Sequence, residues 1–190
     1  GKGAVRLAVD GHLPRVGVSW FCERLCAAVS HAHAHGVIHR DLKPGNLMVN
    51  GNDYEHFVKV LDFGIAKIMS NSEMGNPQEL TVMGTAVGTV EYMAPEQLMG
   101  GKADGRTDIY TLGVLGYELI VGHRPFNAQG LDLLTVQLTE APPPLAREIP
   151  EIPPVAEHII LRCLAHDSAE RFADVHELSR ALDVPTWLVA

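Results

Sequence analysis

Apolar residues recur at helical spacing in two long stretches of the chain. Between residues 18 and 35 they lie on one face of a helix, and Gly36 follows as a candidate C-cap. Residues 106–122 form a second, more continuously apolar stretch that predicts a core helix. These two patterns predict a mainly helical protein. The apolar positions of the first stretch are Val18, Phe21, Leu25, Ala28, Val29 and Ala32.

Three shorter segments also predict helices, at residues 131–138, 155–165 and 174–182. Two proline-rich stretches, 141–144 and 149–154, predict extended connectors, because proline cannot continue a helix. The helices after these prolines are too few to form a second core. We therefore expect one domain.

Strand signals are confined to a short part of the chain. Residues 47–49 and 57–61 favour short strands, and Asn50-Gly51 between them is a hairpin-turn signal. We expect two small hairpins in the whole domain. Residues 65–93 instead lack apolar periodicity and are rich in Ser, Asn, Gly and Thr, which predicts a long functional or mobile loop.

The composition fits an ordinary globular domain and bears on whether the protein binds nucleic acid. Apolar residues make up 46% of the 190 residues, and the formal net charge of -8 argues against nonspecific binding of nucleic acid. The longest apolar run, Ile109 to Val121, contains Glu118. It falls short of the roughly 20 apolar residues that a bilayer requires, so we expect no membrane segment here. A membrane anchor elsewhere in a longer parent protein stays open.

The three cysteines lack metal-ligand spacing and predict a reduced compartment, so we expect a cytoplasmic domain. Cys22 and Cys26 lie four apart in a helical pattern, which predicts packing thiols in the core. His31, His33 and His35 alternate along the same helix. Because residues two apart on a helix face different directions, we do not predict a metal site there.

Chemically active side chains concentrate in three short motifs with a fixed order along the chain. Asp41 or Asp62 alone would be read as a turn-capping residue. Together with Lys43 and Asn46 they supply carboxylates, a compact cation and an amide oxygen, which phosphoryl transfer and Mg²⁺ binding require. The motifs are His39-Arg40-Asp41-Leu42-Lys43-Pro44-Gly45-Asn46, Asp62-Phe63-Gly64 and Ala94-Pro95-Glu96.

These motifs resemble the C-terminal lobe of a Ser/Thr protein kinase, and the resemblance covers nearly the whole chain. It implies a mainly α fold, in which a helical bundle carries short β-hairpins at the catalytic cleft. Residues 1–190 would be part of a kinase domain. Its catalytic loop would be 37–50, its activation segment 62–96 and its late helices 106–190.

The resemblance also indicates which parts of a kinase domain this chain lacks. The Gly-rich loop, the strand lysine and the helix glutamate of the family have no match. Only 38 residues precede His39, too few for the N-terminal β-lobe, which we expect to be absent. We therefore expect a piece of a longer ATP-dependent Ser/Thr kinase, with weak or no activity by itself.

The resemblance assigns roles around ATP and Mg²⁺. Asp41 would orient the substrate hydroxyl and accept its proton, and Lys43 would stabilise the transferred γ-phosphoryl group. Asn46 and Asp62 would bind Mg²⁺. Met48 either packs under the adenine ring or belongs to the core, and both interpretations stay open.

Protein substrates with Ser or Thr hydroxyls are implied by residues 41–44 and by the run 88–97, which resembles bacterial-type Ser/Thr kinases. In the family, an arginine before the catalytic aspartate pairs with a phosphate on the activation segment, so Arg40 implies regulation by phosphorylation. Thr81 and Thr85 are the candidate acceptors, modified in trans by a kinase dimer partner. Alternatively, both are ordinary loop threonines.

Other matches predict scaffold roles. Glu96 would pair with Arg171, and such a pair is costly to break when it is buried. Asp108 would cap backbone N–H groups at a helix start and hold the catalytic loop. His39 and Phe63 would belong to the apolar stack that links the two lobes of a kinase.

Two alternative functions agree with parts of the pattern. A noncatalytic kinase-like binding module would be expected to lack Asp41, Asn46 or Asp62, and all three are present. A phosphotransferase acting on small molecules would not need residues 94–96 or Arg171, which build a peptide-docking surface in the family.

Overall fold

Six α-helices and a two-stranded antiparallel hairpin make up the part of the chain that the structure, a computed structural model, describes. This part comprises residues 15–51, 56–62 and 90–183. The predicted mainly helical fold is confirmed. In chain order the elements are α1 (Arg15–Ala34), β1 (Leu47–Gly51), β2 (His56–Val60), α2 (Pro95–Leu98), α3 (Gly105–Val121), α4 (Gly130–Thr139), α5 (Pro154–Cys163) and α6 (Val175–Leu182).

Helix α3 forms the centre of the core. The Asp104 side chain starts it by accepting a hydrogen bond from the Arg106 N–H (2.8 Å), and the Asp104 N–H donates to Thr107 Oγ1 (3.2 Å). Gly122 ends it in a left-handed conformation, with φ 91°. Residues 107–117 are all buried, so the longest apolar run of the sequence is a core helix. Among the described residues, no helix combines the length and apolarity needed to cross a membrane.

Helix α1 packs its apolar face against α3 and α6. Phe21, Leu25 and Val29 on this face are buried, as the helical spacing predicts. Helix α6 contributes Val175 and Leu178 from the opposite side of the same core. The C-terminal helices are therefore part of the single core, and the prolines before them do not separate a second one.

Helices α3 and α5 come close together because α3 carries glycine at two positions that face α5. A Cβ added to Gly113 would lie 2.7 Å from the Cβ of Cys163, and one added to Gly116 would lie 2.6 Å from Cδ1 of Ile160. The end of an isoleucine side chain can move aside, whereas a Cβ is fixed to its backbone. We infer that Gly113 sets the distance between these two helices.

Gly113→Ala is expected to lower the free energy of unfolding by about 1–2 kcal/mol, because overpacking a rigid contact costs more than the helix propensity that alanine gains over glycine. Urea unfolding measures the change. Gly45→Ala is the control, because nothing lies within 4 Å of a Cβ built at that position. Equal or higher stability of Gly113→Ala would contradict the inferred role in helix spacing.

The hairpin differs from its prediction in one respect. Its register pairs Leu47 with Val60 and continues to the ends of both strands. The predicted turn at Asn50-Gly51 is wrong, because both residues pair within β1 and the antiparallel ladder overrides their turn preference. Residues 52–55, which join the strands, lie outside the described part. Of the two hairpins predicted, the described residues contain this one.

The predicted helices agree with the observed ones to within a few residues at each end. Helix α2 is not among the predictions, because four residues are too few to show a helical period. The sequence predicts Pro154 in an extended connector, but it occupies the first position of α5, where a backbone N–H would have no partner within the helix.

The three cysteines lie in or against the core as free thiols, in agreement with the packing role predicted for Cys22 and Cys26. Cys26 and Cys163 are buried, and Cys22 is partly buried. Burial raises the pKa of Cys22 to about 12 and also raises the pKa of Cys26. The thiols are therefore protonated at neutral pH in the folded protein.

Candidate active site

The catalytic-loop motif lies between α1 and β1, where the backbone leaves helical geometry. Gly36 follows α1 with φ 74°, and the Val37 N–H donates to the Ala32 carbonyl (3.0 Å). Arg40 also has a left-handed φ, 64°. This conformation costs a non-glycine residue about 1–2 kcal/mol. Contacts from outside the loop must therefore hold its backbone.

Asp108, in the first turn of α3, provides such contacts. Its Oδ2 accepts from the His39 N–H (2.8 Å) and its Oδ1 from the Arg40 N–H (2.8 Å). Oδ2 also lies 2.7 Å from Nε2 of His33 on α1. The Asp108 side chain is fully buried, and these partners compensate for its lost hydration. The predicted hold of Asp108 on the catalytic loop is confirmed, whereas the helix start is capped by Asp104 and not by Asp108 as predicted.

Three of the predicted site residues contact one another on this loop. Lys43 Nζ donates to Asp41 Oδ2 (2.9 Å). Asn46 Nδ2 donates to the Asp41 carbonyl (2.8 Å) and, over a longer distance, to Asp41 Oδ2 (3.3 Å). The side chains of Asp41 and Lys43 are 20% and 26% exposed, so both are partly accessible to solvent. The motif thus brings an acid, a cation and an amide into one cluster.

The hairpin brings Asp62 next to this cluster. The Leu61 N–H donates to the Asn46 carbonyl (2.8 Å), and His39 Nε2 lies 3.0 Å from the Leu61 carbonyl. Asp62 follows directly, exposed and with φ 50°. Because Nδ2 of Asn46 donates within the loop, its amide oxygen is the atom that can bind a cation. An amide oxygen and a carboxylate fit Mg²⁺, which prefers oxygen ligands and few protein carboxylates.

Glu96 and Arg171 form the predicted ion pair. Arg171 Nη1 and Nη2 each donate to one Glu96 carboxylate oxygen at 2.9 Å, and Thr107 Oγ1 donates to the same carboxylate (2.8 Å). Burial alone would raise the pKa of Glu96, but the hydrogen bonds and charge of Arg171 outweigh it and lower that pKa. The pair fastens α2 to the C-terminal helices. Arg171 also donates to the backbone carbonyls of Arg106, Ala165 and His166.

A second network, around Tyr92, has no counterpart in the sequence predictions. The Tyr92 hydroxyl donates to Glu118 (2.7 Å), and Thr111 Oγ1 donates to the Tyr92 carbonyl (3.0 Å). Arg124 forms an ion pair with Glu91 and lies 6.0 Å from the centre of the Tyr92 ring. Burial and the bond to Glu118 raise the pKa of Tyr92 far above its usual range. These contacts fix the short turn before α2.

Gln97 makes a further contact that sequence reasoning missed. Its Nε2 donates to the Arg40 carbonyl (2.9 Å), and its Oε1 accepts from the Ala94 N–H (3.1 Å). Residues 40 and 97 are 57 positions apart, so no local pattern reveals the bond. The available signal is a glutamine directly after the third motif.

Met48 lies on β1 and is partly exposed. Leu47 is buried and Val49 packs against the core. Because successive side chains of a strand point to opposite faces, Met48 points away from the core side of β1. This direction argues against the core-packing interpretation of Met48.

The three histidines between residues 31 and 35 lie in two different environments. His33 contacts Asp108, whereas the rings of His31 and His35 lie with their centroids 4.5 Å apart on the exposed side of α1. Within the described ranges, no group of three histidine, cysteine or acidic side chains is placed to hold a metal ion. Several sequence predictions lie outside the described part of the chain, namely Phe63, Gly64, Thr81, Thr85 and residues 65–89 of the predicted loop.

Comparisons with known proteins show which family this chain resembles. The family model of the protein kinase domain matches residues 6–182. Serine/threonine-protein kinase Pkn1 of Myxococcus xanthus is 46% identical over 164 residues, which are 85% of this chain and 23% of that protein. The probable serine/threonine-protein kinase PknB of Lactococcus lactis is 36% identical over 165 residues, 86% of this chain and 25% of that protein.

Solved structures give the same result. The kinase domain of Mycobacterium tuberculosis PknI matches with a TM-score of 0.65 and 26% identity, over 92% of this chain and 57% of that one. The chain thus spans about a quarter of the length of these curated relatives and little more than half of this solved domain. The predicted likeness to a kinase C-terminal lobe is confirmed. The chain belongs to the protein kinase family and lies among its bacterial serine/threonine kinases.

Proposed function

We propose that the protein containing this chain transfers the γ-phosphoryl group of ATP to Ser or Thr hydroxyls of protein substrates. The observation that supports this most directly is the contact of Lys43 and Asn46 with Asp41. Asp108 holds the loop that carries all three, and Asp62 follows the adjacent strand. Membership of the kinase family supports the same activity.

In the proposed reaction, Asp41 and Lys43 act on the reacting atoms. The substrate hydroxyl oxygen forms a bond to the γ-phosphorus, its proton passes to the Asp41 carboxylate, and the bond from phosphorus to the ADP oxygen breaks. Lys43 Nζ lies 2.9 Å from Asp41 Oδ2, so its charge is beside the site of attack. There it would stabilise the negative charge of the transferred group.

Asn46 and Asp62 would hold the metal through one amide oxygen and one carboxylate. Mg²⁺, when bound, supplies charge neutralisation and orientation of the phosphates. Met48 would contact the adenine ring from the face of β1 that points away from the core. The hairpin would thereby contribute to adenine binding through Met48 and to metal binding through Asp62, which follows β2.

Protein substrates would dock against residues 90–98, which the Tyr92 network and the Glu96–Arg171 pair fix to the helical core. Arg40 would receive a phosphate carried by Thr81 or Thr85, transferred in trans within a kinase dimer. We place the domain in the cytoplasm, where ATP is available and thiols stay reduced.

Transfer of labelled γ-phosphate from ATP to a Ser/Thr peptide array tests this proposal. The whole protein is expected to label peptides with Mg²⁺ and to lose this activity in excess EDTA. The isolated chain lacks matches to the Gly-rich loop and strand lysine that position ATP, so we expect its rate to be lower by about 10²-fold or more. Tyrosine peptides and free sugars serve as negative controls.

Three results would contradict different parts of the proposal. No labelling by the whole protein would contradict the proposed reaction and favour a noncatalytic binding module. Comparable rates for the chain and the whole protein would show that the remaining part of the kinase domain is not needed. Phosphosite mapping of the active protein that finds neither Thr81 nor Thr85 modified would contradict the regulatory part.

A further inference from the structure

We propose that Gln97 is a positioning residue for Asp41. Its Nε2 lies 2.9 Å from the carbonyl oxygen of Arg40, which belongs to the peptide group directly before Asp41. Through this bond, α2 would set the orientation of the carboxylate that accepts the substrate proton. The inference rests on the proposed function, because the role of Asp41 comes from there.

The peptide group between Arg40 and Asp41 needs a fixed partner. Arg40 has φ 64°, and Asp108 binds its N–H (2.8 Å), which fixes the chain before this peptide group but not the group itself. On its nitrogen side, the Asp41 N–H donates to His39 Nδ1 at 3.3 Å, a long hydrogen bond. The bond from Gln97 to the oxygen side is shorter. Rotation of this peptide group would change the direction in which the Asp41 side chain leaves the backbone and would displace its carboxylate.

Gln97 can serve as that partner because both ends of its side-chain amide are engaged. Its Oε1 accepts from the Ala94 N–H (3.1 Å) while its Nε2 donates to Arg40. A carboxamide can accept at its oxygen and donate at its nitrogen. A glutamate could still accept from Ala94, but its second oxygen would repel the Arg40 carbonyl. Helix α2 itself is fixed by the bond between Glu96 and Arg171.

The contact links substrate docking to chemistry. Residues 90–98 form the proposed docking segment, and Gln97 is the residue of this segment that donates to the catalytic loop. The side-chain hydrogen bonds of Gln97 go to Arg40 and Ala94, whereas the residues proposed to hold ATP and its metal are Asn46, Asp62 and Met48. Loss of the Gln97 bond should therefore reduce kcat and leave the KM for ATP unchanged.

Gln97→Glu in the whole protein tests the inference. We expect kcat for peptide phosphorylation to fall by about 10-fold or more, with the KM for ATP within about twofold of the parent value. For Gln97→Met, which also loses the bond to Ala94, kcat should fall at least as far. Gln129→Glu is the matched control, because it makes the same change of charge at an exposed position before α4 and should keep kcat.

Hydrogen–deuterium exchange gives a readout that does not depend on activity. Gln97→Glu is expected to raise exchange in a peptide covering residues 38–43 and to leave exchange in α3 unchanged. Unchanged exchange at 38–43 would overturn the inference. So would a loss of kcat accompanied by faster exchange throughout α3, because that pattern means general destabilisation. If the parent protein transfers no phosphate, the proposed function fails, and the exchange data alone decide whether Gln97 orders the loop.

Discussion

Replacing Arg171 with methionine is expected to lower the free energy of unfolding by about 3–5 kcal/mol. The guanidinium is fully buried, and its five N–H donors reach two carboxylate oxygens of Glu96 and three backbone carbonyls. Methionine fills a similar length but donates nothing. The Glu96 carboxylate would keep the bond from Thr107, but it and the three carbonyls would lose the donors of Arg171 in a largely dehydrated site.

Urea unfolding followed by fluorescence of Trp20, which packs against the core, measures this loss. Arg180→Met is the matched control, because Arg180 is exposed on α6 and its replacement should change stability by no more than about 0.5 kcal/mol. A loss below about 1 kcal/mol for Arg171→Met would place the pair among weak surface ion pairs and contradict the expectation.

The pH dependence of the same variant gives an independent check. Because Arg171 lowers the pKa of Glu96, the pair adds stability above the pH at which a glutamate titrates in the unfolded chain. This contribution is lost as the pH falls through the lowered pKa. The difference in stability between the parent and Arg171→Met should therefore be largest near neutral pH and shrink below about pH 4, near the unperturbed glutamate pKa.

Asp41→Asn in the whole protein is expected to reduce kcat by about 10²–10⁴-fold, the range typical for loss of a general base. The amide oxygen of asparagine can still accept from Lys43, so the loop should keep its conformation. It cannot take up the proton of the substrate hydroxyl. The KM for ATP should stay near the parent value, because the proposed metal ligands Asn46 and Asp62 are unchanged.

Steady-state kinetics with a peptide substrate measure both constants. Asp183→Asn, the same substitution at an exposed position after α6, should leave kcat unchanged. If Asp41→Asn retained more than about one tenth of the parent kcat, Asp41 would not act as the base. A matching loss of stability would instead assign it to the scaffold.

The sequence predicts most of the helices because each buries one regular face. Helices α1 and α6 show this periodicity, and the continuous apolar run of α3 matches its buried centre. The Asn50-Gly51 turn was predicted wrongly, because pairing between β1 and β2 outweighs the local turn preference of these two residues. Local signals are thus reliable where the core enforces them.

The candidate site was predicted only in part. Asp41, Lys43 and Asn46 are near in sequence, so their contacts follow from one loop. The Gln97–Arg40 and Tyr92–Glu118 bonds join residues 57 and 26 positions apart. Such contacts depend on how distant elements pack, and neither composition nor spacing contains that information.

The hydrogen bonds from His39 and Arg40 to Asp108 join residues 69 and 68 positions apart. During synthesis they can therefore form only after Asp108 has been translated. On the ribosome, the catalytic loop is made long before the carboxylate that shapes it. At about 5–20 residues per second, this interval lasts roughly 3–14 seconds. During that time the nascent chain carries the catalytic motif without Asp108 to hold its backbone. We therefore expect this loop to reach its final backbone conformation only after α3 has been translated and folded.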